Sequence, residues 1–377
     1  MTQAPPPPGR ALRVAVVGAG LVGTSAALAL RQRGARVWLS DDDPTAARLA
    51  ADLGAGEVLG DAGPPPGGPA DVAVIAVPPA GVATVLAAAQ RSGLARCYTD
   101  VASVKSLPLA RARDAGCDIS RYVPGHPLAG RERSGPAAAR ADLFLGRTWA
   151  LCPAPETADD ALATVTALVT ACGAEPVVTD AATHDRWVAL VSHAPHVVAA
   201  AMAAQLAPDS VPPAALKLAG QGLRDATRIA VGGTALWTQI LAGNAKPVAE
   251  VLAAVAAEIS GAARALAEAG DAAIPEDVAM KGLAGLLELG RAGVARIPGK
   301  HGGPARAFTA VQVVINDRPG ELARLLAAAG DAGVNVEDVG IEHSPGLPVG
   351  VAELSVRPDA SARLIAALEA GGWPVRR

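Results

Sequence analysis

Aromatic residues make up only 2% of the 377 residues, with alanine and glycine in their place, so the interior must rely on close approach of backbones. Cysteine is scarce too. Its four copies, Cys97, Cys117, Cys152 and Cys172, show no C-x-x-C spacing, which argues against a disulfide scaffold or zinc ribbon and suits a reducing cytoplasm. An excess of one charge is missing: Lys+Arg 33 against Asp+Glu 36 leaves a formal −3, too balanced to attract nucleic acid along the whole surface. A long uncharged run, Val72 to Gln90, carries Pro78, Pro79 and Gly81 in its middle. That composition breaks a spanning helix and predicts strand, turn and helix, so neither a membrane nor a nucleic-acid partner is expected. Residues 1–10 lack the apolar stretch of a secretory signal and read as a disordered lead-in.

What remains is a chain with 51% apolar and 18% charged residues, long enough for two or three packed domains. Residues 11–180 alternate short β-branched runs with Ala/Leu-rich stretches, the pattern of a parallel sheet covered by helices. Strands are predicted at Arg13 to Val17, Arg36 to Leu39, Val72 to Val77, Arg96 to Val101, Trp149 to Cys152 and Glu175 to Val178. Residues 181–295 read as all-helical. Their helices are so rich in alanine that burial within one chain is thin, which predicts a homodimer interdigitating there. Residues 296–306 have the composition of a linker, and residues 307–377 form a third unit. In it, strands are predicted at Phe308 to Ile315, Gly333 to Val336, Val349 to Val356 and near Trp373. Helices run from about Asp317 to Ala332 and from Ala360 to Ala370, giving an α/β protein with a ferredoxin-like βαββαβ tail.

Gly18-Ala19-Gly20-Leu21-Val22-Gly23 follows an apolar strand and opens a helix, the context that a dinucleotide loop requires. Gly18 serves the tight turn, Gly20 the approach of a pyrophosphate and Gly23 the packing of helix on strand. Asp41 is placed to accept from a ribose hydroxyl and to repel a 2′-phosphate, favouring NAD over NADP; Asp41, Asp42 and Asp43 equally suit capping of the helix after Pro44. Ser103 ends another strand, where it serves either a ligand or the next helix as N-cap. His126, between Pro124-Gly125 and Pro127, is a candidate general base held in a rigid loop, although a structural histidine fits the same pattern. Ser192-His193-Ala194-Pro195-His196 sets two imidazoles on one face of a helix; a metal pair is permitted by the spacing, but no third ligand is in sight. Arg224 and Arg228 offer guanidinium groups for an anion or for surface salt bridges.

The order G-x-G-x-x-G, V-A-S-V-K, G-H-P-L-A-G-x-E, S-H-x-P-H and G-L-R-D-A-T-R-I-A, with Trp237 and Asn244 downstream and I-P-G-K-H-G-G after them, resembles the TyrA family of prephenate, arogenate and cyclohexadienyl dehydrogenases. The tail, Asn316 to Leu322 followed by Gly333-Val334-Asn335-Val336-Glu337, resembles an ACT regulatory domain. The resemblance implies NAD-dependent oxidative decarboxylation of prephenate, with arogenate or an amino-substituted analogue as alternative substrates. His126 is then the base and Ser103 its partner on the hydroxyl oxygen. His196 and Arg228 bind substrate, with Ser192, His193 and Glu132 as further pocket members. Gly18, Gly20, Leu21, Val22, Gly23, Asp41, Val77 and Ser103 face the cofactor. Leu128, where the family commonly has Met, is a volume-conserving departure. The tail implies tyrosine as effector at Asn316, Asp317, Pro319, Gly320, Leu322 and Asn335, and no metal is implied. Two other classes share parts of this pattern: a catalytically silent dinucleotide and amino-acid sensor, and a β-hydroxyacid dehydrogenase using a lysine such as Lys217 or Lys246.

Overall fold

A computed structural model describes residues 11–60, 63–130, 133–269, 276–297, 308–343 and 348–376. The lead-in 1–10, Glu132 and most of the linker lie outside the described residues. Contacts divide the chain into two units, Met1–Ala256 and Ala257–Arg377.

The first unit opens with β1 (Arg13–Val17), α1 (Leu21–Gln32), β2 (Arg36–Ser40), α2 (Pro44–Asp52), β3 (Glu57–Val58), β4 (Ala70–Ile75), α3 (Val82–Arg91), β5 (Ala95–Asp100), α4 (Ser106–Asp114) and β6 (Tyr122–Val123). The strands pair in parallel in the order β3-β2-β1-β4-β5-β6. Both faces are covered, so the strands read as apolar runs and alternate residues feed opposite cores. Val14, Val16, Val72 and Val74 pack with Leu30 and Leu168 on one side. Ala15, Ala73 and Ile75 pack with Leu86, Tyr98 and Tyr122 on the other. The chain leaves β1 for β2 on one side and returns to β4 on the other. This reversal opens a crevice at the carboxyl edge beside Gly18, where such sheets bind ligands. Val72 to Gln90 divides into strand, one-turn helix and α3, as predicted.

The last two strands predicted for this sheet are not in it. β7 (Gly125–Pro127), β8 (Thr148–Leu151) and β9 (Glu175–Val178) form a separate small sheet, β7 antiparallel and β9 parallel to β8, with α5 (Asp159–Ala171) between β8 and β9. His126 therefore sits in a strand opposite Ala150, not in a loop. Gly125 makes this possible: a Cβ there would lie 2.8 Å from the Asp100 carbonyl oxygen and 2.8 Å from Thr99 Oγ1, so only glycine lets β7 cross the end of β5.

Helices follow, as predicted: α6 (Ala181–Val188), α7 (Ala194–Ala204), α8 (Pro213–Leu216), α9 (Gln221–Thr227), α10 (Thr234–Gly243), α11 (Ala245–Ala269), which continues past Ala256 into the second unit, and α12 (Glu276–Ala295), which belongs to that unit. Between α6 and α7 the backbone widens into a π-turn, Ala189–His193. Pro195 explains it, because it cannot donate to the carbonyl four residues back and its ring presses on that group. The whole run Ala181–Ala204 is long and apolar enough to cross a membrane. Its buried His184, Asp185, His193 and His196 are instead partnered inside the first unit, as described below.

In the second unit β10 (Thr309–Asn316), α13 (Glu321–Asp331), β11 (Asp338–His343), β12 (Val349–Val356), α14 (Pro358–Ala370) and β13 (Val375–Arg376) form an antiparallel sheet in the order β11-β12-β10-β13. This is the expected βαββαβ arrangement, with Val311, Val313, Leu325, Leu354 and Leu364 in its core. One strand is displaced. Gly333, at φ +65°, ends α13 in the left-handed region and Val334 plugs the core, so pairing with β12 begins only at Asp338.

Candidate active site

The glycine loop has the shape its spacing implies. Gly18 sits at φ +105°, and a Cβ there would lie 2.3 Å from the Ala76 carbonyl oxygen. A Cβ on Gly23 would meet the Gly18 carbonyl oxygen at 2.0 Å. Gly20 is different: a Cβ on it would meet nothing within 4 Å, leaving an open face at the start of α1. Among the described residues no side chain caps that helix, and the first-turn N–H groups of Leu21, Val22 and Gly23 have no helical acceptor. This cradle fits a dinucleotide pyrophosphate. The register of the aspartates is settled by geometry. Asp41 accepts from Ala19 N at 2.5 Å and from Asp43 N at 2.8 Å, while Asp43 caps α2 through Thr45 N. Asp41 thus lies against the glycine loop, at the end of β2. Half-buried Val77 follows β4 on the same edge.

Beyond β5, a buried polar cluster anchors the next strand. Lys105 Nζ donates to Asp100 Oδ1 and to the Gly125 carbonyl, both at 2.5 Å, and Tyr122 donates to Asp100 Oδ2 at 2.5 Å. Burial and the Asp100 charge push the Tyr122 phenol well up, so it remains a donor. The residue next to the clamped carbonyl is His126. Ser103 stands half-buried in the β5–α4 loop and does not cap α4. That cap comes from α6: the Asp185 carboxylate accepts from Lys105 N at 2.9 Å and from Ser106 N at 2.8 Å.

His126 Nδ1 lies 2.9 Å from His184 Nε2, and His184 Nδ1 lies 2.9 Å from Asp185 Oδ1. Burial, and then the neighbouring His184, Lys105 and His193, hold the His126 imidazole well below its ordinary 6.5, so it stays neutral in mildly acidic solution. Burial raises the Asp185 carboxyl, but hydrogen bonds from His184, Ser106 and Lys105 outweigh it and keep the group ionised. Sequence reasoning singled out neither His184 nor Asp185. They carry no motif, and they meet His126 only because α6 packs across the end of β7.

The S-H-x-P-H segment adds two more rings to the same helical run. Asn244, buried at the α10–α11 break, donates from Nδ2 to the Asp185 carbonyl at 2.7 Å and lies 3.1 Å from His193 Nδ1. His193 Nε2 is buried and has no partner among the described residues. His196 stacks on Trp237 at 3.5 Å, and His193 meets the same indole edge-on at 6.2 Å. Gly232 allows this: a Cβ there would lie 2.2 Å from Trp237 Nε1. Arg228 opens a one-turn helix, Arg228–Val231, that packs on α7; it is exposed in the single chain, as is Arg224. Ser192 is half-buried in the π-turn. His126, His184, His193, His196, Trp237 and Asn244 are thus linked through α6 and α7, next to the sheet edge that holds Ser103. Among the described residues no third ligand joins the His193–His196 pair for a metal.

In the second unit, Asn316, Asp317 and Leu322 line a cavity of about 110 Å³ with Arg318, Glu321 and Ile341. Gly320, at φ +85°, makes the turn into α13 after Pro319. Asn335 does not line it; its amide donates to Glu337 at 2.9 Å.

Residues 26–178 match the family model described as prephenate dehydrogenase, nucleotide-binding domain, and residues 180–276 match prephenate dehydrogenase, dimerization domain. A probable prephenate dehydrogenase, NovF, of Streptomyces niveus is 41% identical over 365 residues, covering 95% of this chain and 98% of its own. The chain belongs to the prephenate dehydrogenase family. The Bacillus subtilis (strain 168) prephenate dehydrogenase is 31% identical over 236 residues, 61% of this chain and 64% of that relative. The fold is shared with the Aquifex aeolicus prephenate dehydrogenase crystallised with hydroxyphenyl propionate and NAD+, at a TM-score of 0.65 and 23% identity over 76% of this chain and 99% of that one. It is shared too with Synechocystis arogenate dehydrogenase, at a TM-score of 0.60 and 24% identity over 75% of this chain and 99% of that one. The TyrA resemblance drawn from the motifs is borne out, together with the dehydrogenase class, the nucleotide-binding domain and a dimerisation domain.

Proposed function

We propose that this chain oxidises prephenate with NAD and releases carbon dioxide, forming 4-hydroxyphenylpyruvate. One observation carries the reading: a buried, neutral histidine, His126, stands beyond the carboxyl edge of a sheet whose glycine loop leaves an open face for a dinucleotide. Bound NAD supplies the hydride acceptor. His126 takes the carbinol hydroxyl proton as the hydride departs, leaving a carbonyl conjugated through the ring to the carbon that bears the carboxylate. Loss of carbon dioxide sends the C–C bonding pair to that oxygen, and the phenolate recovers the proton from His126. Ser103 hydrogen-bonds the same oxygen, His193 Nε2, which has no partner among the described residues, donates to substrate, and His196 and Arg228 hold it, Arg228 through its fork of donors to a carboxylate. Ser192 belongs to the same pocket, and the family resemblance assigns Glu132 to substrate binding as well. Gly18, Gly20, Leu21, Val22, Gly23, Val77 and Asp41 receive the cofactor, and a carboxylate at Asp41 disfavours NADP.

The domain limits 11–180, 181–295 and 307–377, an ACT role for the tail, tyrosine as its effector, a homodimer and a cytoplasmic location belong to the same reading. The four cysteines, all free, support a reducing compartment. A panel of prephenate, arogenate and an amino-substituted analogue with NAD and NADP tests it; prephenate with NAD should give the highest kcat/KM, and a clear preference for arogenate would overturn the substrate assignment.

A further inference from the structure

The relay behind His126 constrains where its proton resides. Asp185 offers only acceptors, and it already receives the N–H groups of Lys105 and Ser106. The third contact, from His184 Nδ1 at 2.9 Å, must therefore be an N–H. An imidazole that carries its single hydrogen on Nδ1 has a bare Nε2. That nitrogen faces His126 Nδ1 at 2.9 Å, which must then carry the hydrogen, leaving the lone pair on His126 Nε2. An isolated imidazole prefers the opposite tautomer, with the proton on Nε2.

We propose that His184 and Asp185 are positioning residues that hold His126 in the Nδ1–H tautomer and so present Nε2 as the base. This rests on the reading of His126 as the base. Asp185 has a second task that ties the device to the fold, since the same carboxylate caps α4 and its own backbone carbonyl accepts from Asn244 at the α10–α11 break. The charged and titratable groups that face His126 are Lys105, already paired with Asp100, from the β5–α4 loop, His184 from α6 and His193 from the π-turn. None of them except His184 makes a hydrogen bond to the His126 ring among the described residues. Both members of the relay are buried, so water does not compete for the shared protons.

Two variants separate this role from plain packing. His184→Leu fills the space but offers no acceptor, whereas His184→Gln retains an amide oxygen for His126 Nδ1–H. The first readout is independent of turnover. Ring-nitrogen NMR of the histidine-labelled wild type should show His126 protonated on Nδ1, and His184→Leu should shift it towards Nε2–H. The second readout is kinetic: kcat in His184→Leu should fall by ~10–100-fold with KM and NAD affinity nearly unchanged, and His184→Gln should recover much of the loss. An Nε2-protonated His126 in the wild type overturns the proposal. So does a His184→Leu enzyme with wild-type kcat, or one whose loss His184→Gln does not lessen. If His184→Leu does not fold, the wild-type spectrum and His184→Gln decide. Should the wild type oxidise none of the panel substrates, the functional reading fails, yet the spectrum still answers the tautomer question.

Discussion

At the scale of single residues, burial decides the chemistry of the histidines. His126 is lowered well below 6.5 by burial, and His193 is lowered to about 4, again chiefly by burial. A neutral base is ready at low pH, so the acid limb of kcat/KM should fall below the ordinary imidazole value; a limb at or above 6.5 would contradict the assignment. Stability follows the opposite path. The unfolded chain binds protons that the folded histidines refuse, so stability should decline as pH drops below about 6.5. His193 alone accounts for up to about 3 kcal/mol by pH 4, a loss that chemical denaturation at several pH values would register. His126 was legible in the sequence because its Pro-Gly flanks mark a fixed backbone. His184 and Asp185 were not. Two adjacent polar residues on a helix look like an exposed face until α6 is laid on β7, 58 residues away from His126 in the chain.

At the scale of elements, the chain's glycines do what bulky side chains do elsewhere. Gly23→Ala would set a methyl 2.0 Å from the Gly18 carbonyl oxygen, against backbone that has nowhere to move. We expect a loss of roughly 1–3 kcal/mol in stability and a marked loss of NAD affinity, measured by thermal melting and cofactor titration. Gly20→Ala, whose added methyl meets only open space, should melt normally and lose cofactor affinity alone. The alternation of apolar runs revealed the parallel strands, because period and burial coincide there. It could not reveal that β8 and β9 leave the main sheet. β7, only three residues long, has no pattern of its own and is defined by Gly125 crossing β5. The displaced strand in the tail has a similar cause, since Gly333 stops a helix and the apolar residues after it fill a core before any pairing starts.

At the scale of the whole molecule, the helical run leaves apolar side chains uncovered in the single chain: Trp187, Leu190, Val191, Leu218 and Val231 are all exposed. With a dimerisation-domain match over this segment, a second copy is the natural cover. Light scattering should return twice the chain mass, and a monomer at micromolar concentration would contradict the expected interdigitation. Tyrosine should reduce the rate through the tail, and Asp317→Ala, on the wall of its cavity, should blunt that response while leaving uninhibited turnover intact. The most direct test of the central claim is the appearance of reduced nicotinamide when wild type and His126→Asn are each mixed with NAD and prephenate. Wild type should turn over, and the variant should bind NAD equally well while kcat falls by ~10²–10⁴-fold. Equal rates from the two proteins would mean that another group removes the proton.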